Sequence, residues 1–132
     1  MTPDLPAALR ACARGFYPAE ASVELLIGHG SFLARSDFTR QFIWLGTSIS
    51  DGITTMAQID WPAAITALDT GGLPCSGGEQ RMLRLAASLA DGTPVDLRDA
   101  LTGLDDRNIT LLITAVLHAS GNARNPGIHD HF

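Results

Sequence analysis

The chain has 132 residues, a length that corresponds to one domain able to bury a core without metal or disulfide support. Its formal charge is −5, which disfavours nonspecific nucleic-acid binding because such binding needs a cationic surface. The sequence contains no lysine, and this excludes Schiff-base chemistry, a pyridoxal phosphate anchor and a Walker A phosphate loop.

Cysteine usage and the N-terminal residues indicate a reducing compartment. Cys12 and Cys75 are too few for a disulfide framework. The first residues lack the charged and then apolar pattern of a secretory signal, and no run reaches the roughly 18 apolar residues of a membrane span. We therefore expect a cytoplasmic protein without a membrane partner.

The first half of the chain predicts three helices followed by a β-hairpin. The helices are expected over Leu5–Ala13, from Pro18 to about residue 27, and from a cap at Ser36 through a stripe of aromatic residues. β-Branched runs then flank Asp51 and Gly52, which both tolerate positive φ in a tight turn. The hairpin is expected over residues 47–57.

The second half predicts helices only. One is capped by Asp60, one by Ser76, a short one begins at residues 93–96, and the last covers about residues 106–119. The fold class is therefore mainly α, with about six short helices and one β-hairpin. We predict a single helical domain over residues 1–120 and a flexible tail over residues 121–132.

The start of the helix after Cys75 allows an enzymatic interpretation. Cys75 and Arg81 have the spacing of cysteine-dependent phosphatases, in which a thiolate attacks phosphorus and the arginine binds the equatorial oxygens. Ser76, Gly77 and Gly78 would supply anion-binding amides at a helix N-terminus. However, the residues before Cys75 do not resemble the strand that precedes the cysteine in those enzymes.

The same residues also fit an ordinary helix start. Ser76 and Glu79 form a capping box, and apolar residues continue one face of the helix, so no ligand is needed. Residues 76–81 also resemble the signature loop of ABC ATPases, but that loop acts opposite a Walker A lysine, which this chain lacks. We favour the capping interpretation, with no catalytic residue and no cofactor.

The last predicted helix is the favoured interface. Residues 109–118 are apolar except for one narrow polar stripe that ends at His118. Such a helix lies either at the centre of a domain or in an interface. We predict that Leu112, Val116 and His118 contact a partner, and the excess of apolar over charged residues supports self-association.

Histidines give weaker signals. His129 and His131 have the spacing of a weak metal-binding pair, but a real site needs a third ligand fixed by the fold. We expect no metal site. His29 lies between two glycines and is predicted to be a loop residue.

Several segments of the C-terminal half carry a resemblance. These are residues 73–76 continuing through 86–90, residues 94–97 and residues 101–105. They look like a group of small actinobacterial proteins, and the resemblance covers about half the chain, mainly residues 73–120. It implies no activity, substrate or site.

Three functions from different classes follow. The preferred one is a non-enzymatic cytoplasmic interaction module that forms a homo-oligomer or binds a partner protein. The first alternative is a phosphatase-like hydrolase that uses Cys75 and Arg81. The second is a nucleic-acid-binding accessory protein, although the predicted helix near residues 95–101 carries two acids for one arginine and would read a major groove poorly.

Overall fold

Seven α-helices and one antiparallel hairpin make up residues 4–122, the part of the chain that the computed structural model describes. In chain order they are α1 (Leu5–Ala13), α2 (Tyr17–His29), α3 (Ser36–Phe42), β1 (Ile43–Thr47), β2 (Thr55–Ile59), α4 (Trp61–Thr70), α5 (Gly77–Asp91), α6 (Leu97–Thr102) and α7 (Asp106–Ala119), with a 3₁₀ turn at Phe32–Ala34. The predicted mainly α fold with one hairpin is confirmed. From residue 123 onward, the predicted tail lies outside the described residues.

Side-chain caps determine where many of the helices begin. A carboxylate accepts the N–H of the residue three positions later at the start of α1, α4, α6 and α7, and the residues concerned are Asp4, Asp60, Asp96 and Asp105. Each such cap satisfies a backbone donor that the helix itself leaves unpaired, which typically stabilises a helix by about 1 kcal/mol.

The start of α6 differs from the predicted one because of a cap of the same kind. That helix begins at Leu97 and not at residues 93–96, because the Asp96 carboxylate accepts the Asp99 N–H at 3.2 Å. This bond requires Asp96 to stay extended, with φ −80° and ψ 101°. Residues 93–96 therefore lead into the helix without belonging to it.

The hairpin is also displaced from its predicted strands. Its ladder runs from Ile43 paired with Ile59 to Thr47 paired with Thr55, so the strands lie further from the turn than expected. The cause is Asp51, whose carboxylate accepts the N–H groups of Ile53 and Thr54 at 2.8 and 2.9 Å. Those amides are unavailable to a strand, so the loop is longer than two residues.

α2 is the centre of the packing. It lies against α1, α5 and α7, while α1 covers β2. Ser22 on α2 is fully buried, and its hydroxyl donates to the Ala86 carbonyl of α5 at 2.9 Å. The largest fully buried apolar side chains are Phe32, Phe38, Leu9, Leu25, Leu26, Leu73, Met82 and Leu83. This core leaves the outer face of α7 and most of the hairpin exposed.

Candidate functional site

Cys75 lies just before α5, and its surroundings keep its thiol protonated. The sulfur is partly buried, accepts a hydrogen bond from Nη1 of Arg35 at 3.6 Å, and donates to the Leu73 carbonyl at 3.2 Å. Burial raises the pKa of Cys75, and this effect exceeds the opposing influence of Arg35. A nucleophilic cysteine needs the opposite shift.

Arg81 makes its hydrogen bond with α6. Its Nε donates to the Asp99 carbonyl at 3.3 Å and lies 3.9 Å from the Asp99 carboxylate. The guanidinium also lies against Gly103, where an added Cβ would be 2.2 Å from Nε. The guanidinium of Arg81 also lies close to Gly77, because a Cβ added to Gly77 would be 2.9 Å from Nη1 of Arg81. Thus the arginine that contacts the sulfur of Cys75 is Arg35, whereas Arg81 joins α5 to α6.

The N-terminus of α5 already holds a carboxylate. Glu79 accepts the Ser76 N–H at 2.9 Å, and the Ser76 hydroxyl accepts the Glu79 N–H at 3.2 Å, which completes the capping box. The second oxygen of Glu79 accepts the Ser31 hydroxyl. These hydrogen bonds lower the pKa of Glu79, and the bond from Ser31 has the largest effect on it. A phosphate bound here would meet this negative charge and lose the Ser76 amide.

α7 uses some of its predicted interface residues inside the fold. Leu112 is only 6% exposed, so its side chain belongs to the protein's own core. His118 places Nε2 2.7 Å from Oε1 of Glu20, which joins α7 to α2. Val116 is 51% exposed and lies beside two further exposed apolar residues, Ile113 and Leu117. The outward surface of α7 is therefore centred on Val116.

Of the remaining histidines, only His29 lies among residues 4–122. His29 is the last residue of α2, so its assignment to a loop was wrong: the helix continues until Gly30, whose φ of +82° ends it. Burial lowers the pKa of His29, and its Nδ1 has no hydrogen-bond partner in the described structure. His129 and His131 lie outside the described residues.

The hairpin carries an apolar surface that the sequence analysis missed. Trp44 is 68% exposed and Leu45 is 54% exposed, although they point to opposite faces of β1. Ile49 and Ile53 in the loop are exposed as well. Residues 43–50 contain no charged side chain. This uncharged run was the available signal, but only residues 47–50 of it were assigned to the hairpin, and no apolar surface was predicted there.

β1 also has one free edge. Ser48 donates to the Thr54 carbonyl at 2.8 Å, and Asp60 donates to the Phe42 carbonyl at 2.7 Å. In this register the even-numbered residues of β1 bond to β2, so the backbone groups of Leu45 and the other odd-numbered residues point away from it. Within the described residues the sheet has two strands, and nothing pairs with this edge.

A cleft of about 450 Å³ lies at the other end of the hairpin, between α1, α2, β2 and the C-terminal end of α5. Its polar lining includes Gln58, Asp60 and Asp91, and both tryptophans of the chain, Trp44 and Trp61, are among the lining residues. The volume falls in the range of small-molecule sites.

Comparisons with protein-family models, curated proteins and solved structures give no match. Among residues 4–122, no helix combines the length and apolarity needed to cross a bilayer. The described part of the chain also contains no group of three or more His, Cys, Asp or Glu side chains placed to hold a metal ion.

Proposed function

We propose that this protein is a non-enzymatic interaction module that associates with a second copy of itself through the free edge of β1. The observation that carries this proposal is the exposure of an uncharged, apolar strand whose outward backbone groups have no partner in the described structure. Proteins that remain monomeric usually protect such an edge with a charged residue, a proline or a bulge. Residues 43–50 contain none of these.

The register favours a symmetric pairing. If two β1 strands meet antiparallel with Leu45 opposite Leu45 of the second copy, Thr47 falls opposite Ile43. The outward groups of these residues then bond to each other, giving about six new backbone hydrogen bonds and one four-stranded sheet. Such a contact is isologous, as expected for a homodimer with two-fold symmetry.

The apolar side chains add to this contact. Leu45 lies on one face of the strand and Trp44 on the other, so pairing removes part of both from water. The exposed Ile49 and Ile53 extend the apolar surface beyond the end of β1. Association would therefore combine backbone bonding with apolar burial.

The contacts around Cys75 support the non-enzymatic part of the proposal. Burial raises the pKa of its thiol, Arg81 bonds to α6, and Glu79 occupies the helix N-terminus. No further contact in the described structure favours hydrolysis over a structural role for these residues.

Light scattering coupled to size exclusion, over a range of protein concentrations, tests the proposal. The wild type is expected to form a dimer, and Leu45→Lys is expected to weaken it by about tenfold or more, because two ammonium groups would face each other across the symmetry axis. Leu45→Pro should act similarly, because it removes only an outward N–H and keeps the bonds to β2.

Two matched variants serve as controls. Leu101→Lys introduces the same charge at an exposed leucine of α6, and it should leave the dimer unchanged. Val116→Lys tests the outward surface of α7. A wild type that is monomeric at every concentration contradicts the proposal. A dimer that only Val116→Lys disrupts would move the interface to α7.

A further inference from the structure

We propose that the cleft between α1, α2, β2 and the end of α5 binds a small organic ammonium ion that carries an aromatic or branched apolar group. The proposal goes beyond self-association, and the two proposed surfaces share one residue, Trp44. It rests on three properties of the cleft: its volume, the sign of its charges and its two indole rings.

The charged residues that line the cleft favour a ligand with a positive charge. Among residues 4–122, Asp60 and Asp91 are the only ionisable residues other than Cys12 that line the cleft, and no basic side chain from this part of the chain contributes to the lining. Both α1 and α5 end at this cleft, at Ala13 and Asp91, so the negative ends of two helices add to the carboxylates, while the first turn of α2 at Ala19 brings one positive helix end. Asp60 also caps α4, which offsets the positive end of that helix.

The indole rings favour an ammonium ion over a metal ion. Trp61 is 8% exposed and forms part of the buried wall, whereas Trp44 is largely exposed and free to cover a ligand. An indole face attracts an organic cation and also packs against its apolar part. The rest of the lining is mainly small and apolar, including Ala19 and Val23, which suits the hydrocarbon portion.

Size sets the upper bound on the ligand. A cleft of about 450 Å³ accepts a molecule with a single ring or a short branched chain, and it is too small for a folded partner. The polar amide of Gln58 supplies a hydrogen-bonding group beside the carboxylates. The chemical class is therefore an amine or quaternary ammonium compound of modest size.

Tryptophan fluorescence provides a direct assay, since both tryptophans of the chain line the cleft. Benzyltrimethylammonium is the probe, benzyl alcohol is the neutral comparator and benzoate is the anionic one. Saturable quenching or a spectral shift is expected with the ammonium compound at a lower concentration than with either comparator. Equal or weaker binding of the ammonium compound would overturn the proposal.

Charge-removing variants locate the site. Asp60→Asn keeps a capping side chain, and Asp91→Asn alters an exposed helix end, so both should fold. Each is expected to raise the dissociation constant of benzyltrimethylammonium about threefold, the size expected for one partly exposed charge pair. Asp4→Asn makes the same change at the cap of α1, outside the cleft, and should leave binding unchanged.

A last comparison separates this inference from self-association. Leu45→Lys, which should dissociate the dimer, is expected still to bind benzyltrimethylammonium saturably, because it changes no residue that lines the cleft and leaves Trp44 exposed. Unchanged binding in Asp60→Asn and Asp91→Asn would reject the cleft as the site whatever the oligomeric state.

Discussion

Leu111 of α7 packs directly on the backbone of Gly28 in α2. A Cβ placed on Gly28 would lie 2.8 Å from Cδ2 of Leu111, which is closer than two carbon atoms approach in proteins. Beside this contact, Nη2 of Arg107 donates to the Gly28 carbonyl at 2.6 Å. The Leu111 side chain therefore occupies the space that a side chain at position 28 would need.

Because of this contact, we expect Gly28→Ala to destabilise the wild-type protein but to stabilise a Leu111→Ala variant. Gly28→Ala adds about 1 kcal/mol of helix propensity, but overpacking against Leu111 costs about 1–3 kcal/mol, so we expect a net loss of stability. In a Leu111→Ala background the clash disappears, and Gly28→Ala should stabilise by about 0.5–1 kcal/mol. Urea unfolding of the four proteins measures both effects.

The control for this cycle is Gly78→Ala in α5, where an added Cβ meets no atom within 4 Å. It should be neutral or stabilising in either background. Destabilisation by Gly28→Ala of equal size with and without Leu111 would show that the two residues are not coupled.

The hydrogen bonds in the hairpin loop predict that the carboxyl group of Asp51 is unusually acidic. Hydrogen bonds from Thr54 and from two backbone amides hold the pKa of Asp51 at about 2. Because the folded pKa is depressed, the loop contacts are present above the ordinary pKa and are lost as the pH falls through about 2. Carbon-13 NMR titration of the carboxyl group measures this directly.

Thr54→Val removes the hydroxyl that contributes most to this shift. The pKa of Asp51 should then rise toward the ordinary value of 3.8. Thr55→Val, the same change at the neighbouring position in β2, serves as the control. A titration midpoint near the ordinary value in the wild type would contradict the loop hydrogen bonds.

The sequence was most informative where structure is local. Asp60, Ser76 and Asp105 cap helices by bonding to an amide three residues away, so their effect is visible in a short window. The hairpin strands were misplaced because Asp51 bonds within its own loop, in competition with the ladder that the β-branched residues suggested.

The candidate sites required the tertiary structure. Trp44 and Trp61 line one cleft because the pairing of β1 with β2 places Trp44 opposite Gln58, three residues before Trp61, and the predicted strands did not include that register. Likewise, Leu112 and Val116 are both apolar residues of α7. Only the packing of α7 in the fold buries Leu112 and leaves Val116 exposed.

Cys75 should be a slow nucleophile. Burial raises the pKa of its thiol above the ordinary 9.0, so only a small fraction is thiolate at neutral pH. In a Cys12→Ser protein, where Cys75 is the sole thiol, the rate of alkylation by iodoacetamide should rise with pH without levelling below the ordinary pKa. Levelling near neutral pH would instead support the hydrolase alternative.

Two arginine variants serve as controls for the pH dependence of Cys75 alkylation. Its guanidinium lowers the pKa of Cys75 against the larger effect of burial, so Arg35→Gln should move the alkylation profile to still higher pH. Arg81→Gln should leave the profile unchanged, because Arg81 bonds to Asp99. A shift caused by Arg81→Gln alone would place that arginine at the sulfur.

The pair of His118 and Glu20 should stabilise the protein more than the exposed pair of Arg10 and Glu24. The Glu20 side chain is only 12% exposed and also accepts the Gly15 N–H at 2.8 Å, so truncating His118 leaves a mostly buried carboxylate with one partner fewer. His118→Ala is expected to cost about 1–3 kcal/mol in urea unfolding. Arg10→Ala, which breaks the exposed pair, should cost less than about 1 kcal/mol. Equal costs would mean that burial of Glu20 does not strengthen the contact between α7 and α2.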